Sequence, residues 1–252
     1  MSSFASGFFR SPQTSARQLI YDIGMHTGED TQYYLAKGFR VVAVEANPAL
    51  VSLASQVFAS AISTGDLQIV AAGVGKSAGR LPFYVNAHYS EWSSFDKRIG
   101  SRNGCKEIID VPVMTMAELV ARHGDAFYIK MDIEGYDQIA LESLAQTQCR
   151  PKYISVENGL PHMLETLFNM GYRAFKFVNQ QPLPGSKSPR PAREGADIDF
   201  TFPVGSSGPF GEDTPGEWKL RDEVRIDIDA YWKNPARDAN IHGWYDLHAR
   251  LP

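Results

Sequence analysis

From Gln18 to Val178 the chain repeats one device: a short apolar run, a polar turn, then a stretch with helical spacing. The apolar runs include "QLIYDIG", "RVVAVEANP", "LQIVAAGVG", "AFYIKMDIEG", "PKYISVENG" and "YRAFKFV", and "EDTQYYLAKGF", "PALVSLASQVFAS", "YDQIALESLA" and "PHMLETLFNMG" read as helices between them. Pro48 stands where a second helix begins, and Gly38 where the first ends. Continuous apolar strands alternating with helices are the pattern of strands buried on both faces. They predict a Rossmann-like, doubly wound, mainly parallel α/β sheet of about seven strands, with helices on both faces. A chain of 252 residues accommodates that sheet as a single domain.

The pattern stops after Val178. "NQQPLPGSKSPRPAREGAD" and "PVGSSGPFGEDTPGEW" are rich in Pro, Gly and Ser, with "IDFTF" between them as an expected late strand. The division expected is an N-terminal arm over 1–18 and a domain over 19–252, with a loop-rich insertion or lid around 179–217. The tail carrying Trp218, Trp232 and Trp244 is expected to cover the domain as a helix or irregular layer. The arm holds Arg and Ser but no acid, a composition shared with transit peptides, though it reads better as a flexible arm.

Composition enters by exclusion. A net charge of −4 gives no chain-wide attraction to nucleic acid. Two cysteines, Cys105 and Cys149, make neither a disulfide framework nor a zinc motif, which suits a reducing, cytoplasmic setting. No apolar run approaches the roughly 18 residues of a membrane span.

The first strand–turn–helix, "YDIGMHTGED", is where a ligand is expected, because open α/β sheets bind at the carboxyl ends of strands where strand order reverses. Asp22 ends the first strand and Glu45 the second, a spacing close to that of dinucleotide-binding units. Gly24 and Gly28 allow close backbone approach. A pyrophosphate calls for a GxGxxG turn, but His26 takes the middle glycine's place, and Glu29 and Asp30 put negative charge where phosphate would lie. S-adenosylmethionine fits better. It has no phosphate and two positive groups, with Asp22 available to its cationic end and Glu45 to its ribose diol. An NAD-type oxidoreductase and a plain turn without ligand stay open at this point.

Taken in order, "DIGMHTGED", "VVAVEANP", "IVAAGVGKSAG", "YIKMDIEGYD" and "YISVENG" resemble the FkbM family of class I S-adenosylmethionine-dependent methyltransferases over residues 21 to 177. The resemblance departs at Met25–His26, where the family often has Ala-Asn. It implies methyl transfer to oxygen, on a hydroxyl of a sugar or polyketide-like acceptor. It further implies a cofactor site of Asp22, Gly24, Gly28, Glu45, Ala46, Asn47, Ala72 and Gly73, with Ser93 and Ser94 matching a family Ser-Ser pair, and Ser94 counted in the site.

An alcohol needs a base as it is methylated. Asp132 and Glu134, at the end of the "YIKMDIEG" strand, are the leading candidates, and His88, a loop imidazole that titrates near neutrality, is the third. His162 is a weaker one, and His26 is expected to shape the pocket. Asp132 with Glu157–Asn158 also imitates a Mg²⁺ site, although no metal is assigned. The partner expected is a hydroxyl-bearing small molecule, glycans included, with no nucleic acid and no membrane. The competing classes are the oxidoreductase and a non-catalytic cofactor-binding scaffold.

Overall fold

In the computed structural model, residues 17–234 and 243–252 are described; the expected arm over 1–18 lies outside them except for Arg17 and Gln18. Leu19–Ile23, wholly buried, is β1, and it pairs in parallel with both β2 (Arg40–Glu45) and β7 (Tyr128–Met131). The strand order therefore reverses on either side of β1, which opens a crevice at its carboxyl end. The sheet has seven strands. Beyond β2 lies β3 (Leu67–Ala71), and beyond β7 come β8 (Tyr153–Glu157), β10 (Tyr245–Arg250) and β9 (Ala174–Asn179). Only β10 runs antiparallel, between β8 and β9.

Helices α1 (Glu29–Ala36), α2 (Pro48–Val57) and α3 (Ala59–Ser63) follow the first two strands. A smaller sheet of β4 (Gly73–Val74), β6 (Cys105–Met114) and β5 (Gly79–Asn86) is inserted before α5 (Met116–His123), with the short α4 (Lys97–Gly100) in its β5–β6 arm. Then come α6 (Asp137–Ala145) and α7 (Pro161–Asn169), and α8 (Arg221–Trp232) leads toward β10. Among the described residues no helix is long and apolar enough to cross a membrane.

The two faces of the large sheet differ in chemistry. One is apolar: Tyr21, Ile23, Val42, Ile129, Ile154 and Leu247 share a core with Leu119, Leu141, Leu164 and Val224 of α5–α8. The other begins apolar under α1, at Ile20, Val41 and Ala43, and turns polar toward β9. Asp22, Lys130, Ser155, His248 and Lys176 are successive register partners across five strands, and all are buried. A polar sheet face requires a polar partner. The chain supplies it with the Pro/Gly-rich segment 180–218, whose backbone and side chains meet these groups directly. Its Asp213 pairs with Lys37 of α1 at 3.0 Å, both fully enclosed, and its Ser206 Oγ donates to Asp30 at 2.6 Å. Apolar anchors fix it: Phe210 stacks on Tyr128 at 4.5 Å, and Phe202 meets Tyr33 edge-on at 4.9 Å.

Two expectations need correction. "IDFTF" is not a strand: only Thr201 makes an isolated bridge, to Lys187, because Phe200 and Phe202 both turn into the aromatic cluster around Tyr33. The strand that completes the sheet is β10, in the tail expected to be only a cover. Its alternation puts Leu247 and Ala249 in the apolar core and Asp246 and His248 on the polar face.

The crevice at the carboxyl ends of the strands

After β1 the backbone turns sharply, with Gly24 and Met25 donating their N–H groups to Val44 O, both at 3.0 Å. Gly24, His26 and Gly28 all have positive φ, and at His26 this is a conformation glycine adopts with less strain. Glu45 holds it there. One carboxylate oxygen accepts from His26 N at 2.9 Å and the other from Asn47 N at 2.7 Å, so the buried Glu45 joins the first turn to the start of α2. Burial raises its pKa, against these two backbone donors. Asn47 caps α2 by accepting from Ala49 N.

The glycines answer to the protein rather than to open space. A Cβ at Gly24 would lie 1.8 Å from Asp132 O, one at Gly28 2.4 Å from the Phe58 ring, and one at Gly73 2.2 Å from Phe95. They let the β1 turn seat against the β7 turn and the small sheet pack on the large one. Ala72 beside Gly73 is buried in the apolar core, and Ala46 packs on the core of the small sheet.

Lys130 is the electrostatic centre. Its buried ammonium lies 3.2 Å from Asp30, 3.4 Å from Asp132 and 3.6 Å from Asp22, and donates to Gly24 O. Asp22 is almost fully enclosed. Thr31 donates to its Oδ2 at 2.6 Å, and its Oδ1 has no hydrogen-bond partner. Burial raises the Asp22 pKa, against the pull of Lys130.

Three carboxyls lie side by side above this row. Asp132 follows β7, Glu157 ends β8, and Asp246 faces Glu157 in register from β10. Burial and the neighbouring acids push the pKa values of Glu157 and Asp246 well above the usual carboxylate range. Glu157 Oε2 is buried without a partner. Asp132 is the most open of the acids around Lys130, its side chain 30% exposed. Glu134 has φ 48°, and burial, then Asp132, raise its pKa. Asp137 fixes this turn, accepting from Ile133 N at 2.9 Å and Gly135 N at 3.1 Å.

The β5–β6 arm, residues 87–104, closes one side. Ser94 Oγ donates to Glu134 O at 2.7 Å and accepts from Asp96 N, so its hydroxyl proton is committed inside the protein. Ser93 Oγ accepts from Asn86 N. Ser94 thus acts as a tie between the arm and the β7 turn. Ser94→Ala is expected to cost about 1 kcal/mol in chemical denaturation; a loss of cofactor affinity at unchanged stability would return it to the binding set.

The imidazoles separate. His88 is exposed beside Gly104, on the arm. His26, which the residue pattern left as a pocket wall, shares a 2.7 Å hydrogen bond between Nε2 and Ser90 Oγ and faces Glu29 at 3.7 Å. Burial opposes protonation of His26, but Glu29 outweighs it and raises the pKa. Among the described residues no three His, Cys, Asp or Glu side chains are disposed to hold a metal ion.

The crevice therefore gathers Asp22, Asp30 and Asp132 around one buried ammonium, with Glu45, Glu134, Asp137, Glu157 and Asp246 at or just beyond the same strand ends. The concentration of acids complements a ligand with positive charge, Asp22 Oδ1 having only the Lys130 ammonium at 3.6 Å beside it, and the S-adenosylmethionine expected from the sequence meets that requirement. A pyrophosphate does not fit, because Glu29 and Asp30 fill the first turn of α1.

A model of the methyltransferase FkbM domain matches residues 22–174. Among solved structures, the chain is similar to the precorrin-6y C5,15-methyltransferase from Geobacter metallireducens GS-15, at 10% identity and TM-score 0.42, covering 95% of this chain and 82% of that one. It is also similar to an rRNA methylase from Streptococcus thermophilus, at 8% identity and TM-score 0.40, covering 94% and 89%. A third is a TehB-like SAM-dependent methyltransferase from Corynebacterium glutamicum, at 13% identity and TM-score 0.37, covering 66% and 71%. No curated protein matches the chain.

Proposed function

We propose, from the premise that this chain belongs to the FkbM methyltransferase family and uses S-adenosylmethionine, that it methylates a hydroxyl oxygen of a small acceptor, sugar or polyketide-like, with Asp132 as the base. When bound, S-adenosylmethionine supplies an electrophilic methyl group on a positively charged sulfur. The chain's own residues hold it and prepare the acceptor. Glu45 would receive the ribose diol, the Ala46–Asn47 backbone would lie beside the adenine, and Asp22 would face the positive charge.

The observation that carries oxygen as the target is the carboxyl row of Asp132, Glu157 and Asp246. Glu157 and Asp246, whose burial favours the protonated form, stand beside Asp132 to hydrogen-bond an acceptor's oxygens and orient it. Asp132, paired with Lys130, takes the proton of the hydroxyl as that oxygen becomes the nucleophile. Orientation of the hydroxyl by this row supplies the alignment that displacement at carbon demands. Cys149 is buried and Cys105 exposed, both as free thiols, which supports work in the cytoplasm.

The test is calorimetric titration with S-adenosylmethionine, followed by assay of a panel of sugar, polyketide and amine acceptors. In Glu45→Gln an amide NH₂ faces one of the two backbone N–H groups, so cofactor affinity is expected to fall at least about tenfold. Unchanged affinity would remove Glu45 from the ribose site. Methylation of amines with no hydroxyl turnover would overturn the choice of oxygen.

A further inference from the structure

A cavity of about 850 Å³ opens away from the crevice, beneath the 180–218 segment and over β9, lined in part by Lys176, Arg190, Arg193, Phe202, Thr214 and Trp218. Lys176 occupies the same register row as Asp22, four strands away. At about 4.8 Å per strand, roughly 19 Å separate the two.

The charge around this cavity is unbalanced. Lys176 is 4% exposed, donates to Thr214 O and sits 4.4 Å over the Trp218 ring. Among the described residues no carboxylate lies within ion-pair distance of it, and burial, against the attraction of Glu212, pushes its pKa down to about 8. Arg193 lines the wall with its guanidinium equally free of a carboxylate, its backbone N–H donating to Asp213. Of the three acids in the lining, Glu212 and Asp213 are already engaged, and Glu217 is turned to solvent. Glu212 accepts from Arg250, Trp218 and Tyr153, and Asp213 pairs with Lys37. Lys187 and Arg190 are paired with Asp199 and Asp197. Beside Lys176 in register lies His248, 3% exposed, with Nε2 unpartnered and a pKa depressed to about 3 by burial and then by Lys176. It is neutral and supplies no counter-charge.

A desolvated ammonium without a counter-ion opposes folding, and an apolar side chain of similar length would pack there at less cost. A free guanidinium across a cavity of this size, with an unpartnered imidazole behind, is the donor set of an anion site. We infer that this cavity binds a phosphate group, held between Lys176 and Arg193. Two sources share that chemistry: the remote end of a phosphorylated acceptor reaching from the crevice, or a separate phosphorylated metabolite.

Inorganic phosphate is the probe, titrated calorimetrically into the full chain at fixed ionic strength in a phosphate-free buffer. Saturable binding with Kd of about 1 mM or tighter is expected, weakened roughly tenfold or more in Lys176→Met and in Arg193→Gln. Arg193 is exposed, so Arg193→Gln keeps the fold, and unchanged S-adenosylmethionine affinity in it confirms that. Absence of saturable binding to the wild-type chain, or phosphate affinity in both variants unchanged from the wild type, overturns the inference whether or not the chain methylates hydroxyls. A KM that rises in Arg193→Gln for phosphorylated acceptors alone identifies the acceptor as the source. Phosphate that binds without changing any acceptor's KM identifies a separate ligand.

Discussion

Asp132→Asn is expected to lower kcat by about 10²- to 10⁴-fold, the usual contribution of a positioned general base, and to leave S-adenosylmethionine affinity within a few fold. The asparagine has nearly the same shape and keeps the backbone bond from residue 132 N to Ile23 O, so the β7 turn stays seated against Gly24. What disappears is the one acid that is both ion-paired to Lys130 and open toward the crevice. Burial favours the neutral form of Glu157 and Asp246, which suits neither to replace it. The measurement is single-turnover methyl transfer at saturating cofactor, with affinity followed separately by calorimetry. A kcat within tenfold of wild type would move the base elsewhere, with His26 next in line because Glu29 raises its affinity for a proton.

Lys130→Met is expected to destabilise the fold by about 3–5 kcal/mol, as when one partner of a buried ionic cluster is removed. Asp22, Asp30 and Asp132 would then share a confined space without their cation. Urea denaturation at several pH values checks both size and cause. Burial already raises the Asp22 pKa with Lys130 beside it, and loss of Lys130 raises it further. A carboxyl whose pKa is raised by folding costs stability above its folded pKa and nothing below its unfolded one. The deficit of the variant should therefore shrink as pH falls to about 6 and below, where Asp22 is protonated in both folded chains. A deficit independent of pH would mean that Lys130 acts through packing alone.

What was legible in the sequence is what is local. The apolar runs ending in Asp22 and Glu45, the glycine turns and the Pro48 helix start each depend on a few neighbouring residues, and together they imply a parallel sheet with its crevice beside β1. The β10 strand was not legible because "YDLHAR" alternates like a half-exposed strand, whereas both of its faces are buried by elements far away in sequence. The polar sheet face escaped for the same reason. Asp22, Lys130, Ser155, His248 and Lys176 form a row only after five strands assemble. A lysine inside the apolar run "YIKM" was the available signal, since an ammonium in a central strand requires carboxylates close by. Ser94 and Gly24 show the complementary limit: their motif positions were visible, but the groups they touch, Glu134 O and Asp132 O, come from another part of the chain.

The position of β10 also bears on how the protein is made. Residues 245–250 are synthesised long after β8 and β9, yet they must enter between those two strands. Until they leave the ribosome, β8 presents an unpaired edge, and β9 has no neighbour through which to join the sheet. Both are apolar on one side, and nascent edges of this kind invite pairing with other chains. The parallel half of the sheet around β1 can form before residues 245–250 are synthesised, so the half bearing Asp246 is the last to be completed.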